Sequence, residues 1–127
     1  MEAELRGHQR KVVDERIVPI KMAHGPSGIP TKNGRTLPFR VKRQWSAPAG
    51  HYIEQWYIVD PKTREVLFEA PPREVLMLGL QALTTLTDDV TDSISLKPGP
   101  YLVVYALNGI SGGEFEVEAV DVAAEAA

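Results

Sequence analysis

Cysteine is missing from all 127 residues. Its absence removes disulfide frameworks, thiolate catalysis, iron–sulfur clusters and cysteine-based zinc sites together. Long apolar runs are missing too, and nothing approaches the roughly 18 residues of a membrane-spanning helix. The opening Met1-Glu2-Ala3-Glu4-Leu5-Arg6 has acidic residues and no apolar stretch, so no secretory signal is expected there. Without a signal or a span, the expected setting is cytoplasmic or virion-associated, with no membrane partner. Histidine occurs only at His8, His24 and His51. Aromatic residues make up 7% of the chain, so the places where they gather carry weight.

The apolar content, 43%, is that of a globular chain, and the length suits one domain. The net charge of −3 hides an uneven layout. Residues 1–43 carry a net +6 and residues 44–127 a net −9. A basic N-terminal portion therefore precedes an acidic body. Either the two attract one another within the fold, or the basic part reaches for another chain or a nucleic acid. The overall acidity argues against a dedicated nucleic-acid binder, although Arg35, Arg40, Lys42 and Arg43 lie close to Phe39 and Trp45.

The dominant hydrophobic period is two. Phe39, Val41 and Trp45 alternate with Arg40, Lys42 and Gln44, as in a strand with one buried face, and Arg43 falls anomalously on the apolar side. Cation–π stacking on Trp45 or Trp56, or a carboxylate across a subunit interface, would account for it. His51–Val59 reads as a second strand, turning at Asp60-Pro61-Lys62-Thr63 into Glu65–Glu69, which Pro71-Pro72 stops. Ser93–Leu96, Tyr101–Leu107 and Glu114–Val122 follow as strands, with a loop from Asn108-Gly109 through Gly113. Arg16–Met22 reads as an edge strand because of Pro19. Arg73–Leu86 suits either a helix or a strand, and the all-β surroundings favour a strand over Glu74–Leu78 followed by an irregular crossing. The expected fold is an all-β antiparallel sandwich, immunoglobulin-like or jelly-roll-like, with room for one short helix. Residues 1–36 would form a basic arm with an edge strand, 37–122 the domain and 123–127 a tail.

Both faces of 51–59 and of 101–107 carry large apolar groups. Such strands call for cover on each side, from the 73–86 segment, the arm or a second subunit.

Catalytic parts are few. Gly109-Ile110-Ser111-Gly112-Gly113 satisfies G-x-S-x-G, but a β-run follows it where a helix is required, and no later histidine completes a triad. Asp88, Asp89 and Asp92 form an acidic loop without EF-hand spacing. His51 and Glu54 fall on opposite faces of a strand and make no ligand pair. No cofactor, metal or phosphate-binding motif emerges.

The expected function is a non-enzymatic assembly protein that binds protein partners or its own copies, as arm-bearing β-proteins of virions and other multi-subunit particles do. Arg10, Lys11, Arg16, Arg40, Lys42 and Arg43 are the candidate electrostatic contacts. Tyr52, Trp56, Tyr101 and Tyr105 are the candidate buried anchors. The alternative is a module holding a carbohydrate or peptide on an aromatic sheet face.

Overall fold

A computed structural model describes residues 9–21 and 27–122. Its elements are eight strands: β1 (Lys11–Pro19), β2 (Ile29–Lys32), β3 (Arg35–Thr36), β4 (Phe39–Val59), β5 (Val66–Glu69), β6 (Arg73–Val90), β7 (Gly99–Leu107) and β8 (Ile110–Asp121). The fold is all-β. One connected sheet runs β1-β4-β7-β8-β2-β3, and β5 and β6 also pair with β4. Pairing is antiparallel except between β2 and β8, which run parallel. Among the described residues no helix is long and apolar enough to cross a membrane.

The organising element is β4, a ribbon of 21 residues that the alternation pattern divides into two strands. Arg43 and Glu54 are eleven positions apart, roughly 36 Å along a straight strand. Yet Arg43 Nε donates to Glu54 Oε2 at 2.8 Å, so the ribbon must fold back between them. Ladder register shifts twice between Trp45 and Gly50, where Pro48 interrupts donation, and this is where the corner forms. The first half of β4 pairs with β1 and the C-terminal part of β6. The second half pairs with β7, β5 and the N-terminal part of β6. The inner faces of the two halves close over Val41, Trp45, Trp56, Ile58, Val103, Tyr105 and Leu107, all fully buried.

The strand reading of 73–86 holds, and β6 extends well beyond Glu74–Leu78, through to Val90. Ser93–Leu96 forms no strand; its ladder is one bridge, Arg35 to Ser95. Bonds to the distant β2–β3 segment use its backbone instead, with Ile94 O accepting from Thr36 N and Leu96 N donating to Gly34 O. The expected loop from Asn108 to Gly113 is a tight turn. Asn108 (φ 50°) and Gly109 (φ 79°) supply the two left-handed residues of a two-residue hairpin, so Leu107 already faces Ile110. At the other hairpin Asp60 Oδ1 accepts from Lys62 N at 2.8 Å and Thr63 N at 2.9 Å, as its turn chemistry predicts.

Most of the described residues of the proposed arm belong to the sheet. Lys11–Pro19 pairs with β4, burying Val12 and Ile17, and Ile29–Thr31 pairs with β8. Apolar residues in the segment explain this: a strand carrying Val12, Ile17 and Ile29 gains more by packing than by projecting into water. Residues 1–8, 22–26 and the expected tail at 123–127 lie outside the described residues.

Candidate functional site

The residues singled out for interaction separate into two groups. Arg16 stands directly opposite Lys42, and Val18 opposite Arg40, so Arg16, Arg40 and Lys42 share one exposed face of the β1–β4 pair. Lys11 is exposed at the start of β1. Asp89 neutralises Arg40 through two hydrogen bonds of 2.7 and 3.1 Å. That contact holds the Asp89 carboxyl below its usual range. Arg16 and Lys42 oppose each other as like charges, a mildly unfavourable arrangement.

Arg43, Tyr52, Trp56 and Tyr105 form the second group, and they line the interior. Trp56 and Tyr105 are at most 1% exposed in the single chain, so neither reaches a partner or stacks a sugar. This corrects their expected place on an interface or a ligand platform. The inner face of β4 becomes core because the ribbon folds over itself, which supplies the cover that 51–59 and 101–107 demanded. Among the described residues no layer lies over their opposite face. Tyr57, Leu102 and Val104 stay half-buried there beneath cross-strand neighbours such as Glu69, Glu114 and Glu116. Tyr101, also half-buried, donates its hydroxyl to Lys97 O at 2.6 Å. The Arg10 guanidinium lies 5.0 Å over the Tyr52 ring.

The Arg43 anomaly resolves within the chain. Its guanidinium is fully buried and held by Glu54 in a forked pair, by Asp88 Oδ2 at 3.0 Å and by Val41 O at 3.3 Å. Trp45 Nε1 donates to Glu54 Oε2 at 2.7 Å, and Trp56 Nε1 to Asp88 Oδ2 at 2.8 Å. Arg73 closes the far end on Asp88 Oδ1 at 2.7 Å. Burial pulls the Arg43 pKa down, but bonding to Glu54 and the charges of Glu54 and Asp88 outweigh it, and the value rises. The aromatic partner of the guanidinium is Tyr105, 5.9 Å away, rather than a tryptophan. Contacts Arg40–Asp89, Arg43–Glu54 and Arg43–Asp88 each join the basic first third of the chain to the acidic remainder. The charge asymmetry is thus spent partly inside the fold.

The motif-bearing segments have structural occupations. At Gly112, a variable position of the G-x-S-x-G match, a Cβ would stand 2.3 Å from the Trp45 ring, so this glycine is where β8 presses on the core. Asp88 and Asp89 are engaged by arginines, and no group of three metal-ligating side chains assembles among the described residues. His51 is exposed; His8 and His24 lie outside the described residues. A cleft of about 380 Å³ opens beside the network between Phe68, Pro71, Pro72, Asp88 and Thr91.

The feature that sequence reasoning passed over is the outer side of β6. Leu76 and Leu78 are 53% and 67% exposed, and Leu80 and Leu83 stand out beside them. From Val75 to Thr87 there is no charged residue. Among the described residues β6 pairs with β4 alone, so its other edge carries unpaired backbone groups. Edges of this kind are ordinarily blunted by lysine, proline or inward charge. Two register shifts, between Met77 and Gly79 and between Gly79 and Thr84, interrupt this one. The uncharged run was legible in the sequence; its position at an open edge was not.

No protein-family model and no curated protein sequence matches the chain. Solved structures do resemble it. The alkylpurine DNA glycosylase AlkC of Pseudomonas fluorescens, bound to DNA containing an abasic site analog, superposes with a TM-score of 0.53 at 16% identity, over 92% of this chain and 33% of that one. A β-glucosidase of Listeria innocua in complex with glucose gives 0.50 at 16% identity, over 87% of this chain and 15% of that one. The chain therefore spans a third or less of these proteins, and what they share with it is the fold.

Proposed function

We propose that this chain is a non-enzymatic β-domain that acts by associating with protein chains along the outer edge of β6. The observation that carries the reading is the uncharged, leucine-lined edge itself. Four protruding leucines beside an unpaired backbone offer main-chain hydrogen bonds for affinity and side chains for selectivity, as in strand addition to a sheet edge. A domain of this fold forming part of a much longer protein, as in the glycosylase and the glucosidase, is compatible with an accessory role of this kind.

The test is a fluorescent peptide spanning residues 73–83, titrated with the protein and followed by anisotropy. Saturable binding with a Kd on the order of 10–100 µM is expected, near −6 kcal/mol. Binding should weaken about tenfold in Leu78→Lys. A peptide that stays free at millimolar protein refutes the reading.

A further inference from the structure

We infer that the cleft between the β5–β6 bend and the C-terminal end of β6 holds a neutral saccharide. It lies apart from the exposed leucines of β6. The cleft exists because β6 follows the corner of β4. Arg73 at its start returns onto Asp88, fifteen positions on, with Nη1 donating to Oδ1 at 2.7 Å. The space beside this contact, about 380 Å³, falls at the lower end of the ~300–1,000 Å³ typical of small-ligand pockets. One side of it is apolar. Pro71, Pro72 and the Phe68 ring form that side, and Trp56 backs Phe68 at 5.5 Å between ring centroids.

The other side is polar, and its charges are already matched. Asp88 accepts from Arg43, Arg73 and Trp56, and Asp89 accepts twice from Arg40. An incoming ion therefore finds no unpaired counter-charge in Asp88, Asp89 or Arg73. Asp92 is exposed at the rim, where solvent screens its charge. Hydrogen-bonding capacity is what remains. A carboxylate offers about four acceptor sites and a guanidinium five N–H donors, so Asp89 keeps roughly two of the former and Arg73 most of the latter. Thr87 and Thr91 add hydroxyls that serve in either role. Spare donors and acceptors side by side suit hydroxyl groups, which donate and accept at once. The facing apolar wall suits the C–H face of a sugar ring. A saccharide presents both surfaces and carries no charge to balance.

Glucose, galactose, mannose and N-acetylglucosamine are the probes, each titrated into the isotope-labelled full chain and followed by amide and indole NMR. The Trp56 indole N–H reports on the cleft because it bonds Asp88, and the Trp45 indole, bonded to Glu54 in the interior, is the control. The expected result is a saturable shift of the Trp56 signal with at least one sugar, with a Kd on the order of 1–10 mM and no dependence on salt. Phe68→Leu removes the ring and Asp89→Ala the spare acceptors, and each should weaken binding about tenfold. The Arg40–Asp89 pair is exposed, so Asp89→Ala should leave the melting temperature unchanged. A Trp56 signal that none of these sugars shifts overturns the proposal. Saturation by lysine methyl ester or inorganic phosphate in place of sugar also overturns it, by identifying a charged ligand. Sugar binding that survives both substitutions puts the site elsewhere and overturns it too.

Discussion

Glu54→Gln is the most informative single perturbation of the fold. The glutamate has no solvent exposure and accepts from both the Arg43 fork and the Trp45 indole. The amide keeps the shape and an acceptor for Trp45 but removes the charge. Arg43 is then left, fully buried, with Asp88 Oδ2 at 3.0 Å and Val41 O at 3.3 Å. Breaking a buried pair by removing one partner costs about 3–5 kcal/mol. Because Asp88 remains, the lower end, about 3 kcal/mol, is expected. Against a total stability of roughly 5–15 kcal/mol that is a large share. For a domain of this size it corresponds to a fall in Tm of roughly 10–15 °C. Urea unfolding followed by tryptophan emission suits the measurement, since Trp45 and Trp56 both donate into the network. The double change Arg43→Met with Glu54→Leu should recover only part of the loss, because apolar replacement of both charges removes their desolvation cost along with the attraction but leaves the buried Trp45 indole N–H without its acceptor. If Glu54→Gln and Arg43→Met each stay within about 1 kcal/mol of wild type, the network does not hold the two halves of β4 together.

Glu15 makes stability depend on pH. Its carboxyl is raised to about 7, chiefly by burial, with the Asp14 charge adding to this and the Tyr105 hydroxyl bond at 3.1 Å opposing it. A folded-state value above the unfolded one means that the protonated form is favoured in the fold. That contribution is complete below about pH 4.5, declines between 4.5 and 7 and is gone above it. Discounted for partial solvent access, the decline is about 1–2 kcal/mol. Glu15→Gln should flatten it in urea titrations at pH 5 and pH 8, and an unchanged slope would count against the assignment. Gly112→Ala should destabilise by about 1–3 kcal/mol, since its Cβ must displace the Trp45 ring. Trp45 emission and the urea midpoint should shift together. Arg64→Ala should leave Tm unchanged within experimental scatter, because the Arg64–Glu114 pair stands in solvent.

Strand period, turn chemistry and composition were enough to settle an all-β chain without cysteine chemistry, to place the Asp60 turn and to mark Arg43 as out of pattern, because each depends on neighbours in sequence. Whether Trp56 and Tyr105 face a partner or the chain's own interior was decided by the corner at Ser46–Gly50, which brings Arg43 onto Glu54. No local period announces such a corner. The same holds for β6: its uncharged run could be read from the residues, but an edge exists only once every other strand has found its neighbour. Pairing between distant segments depends on the whole set of competing contacts, and that is a property of the folded chain.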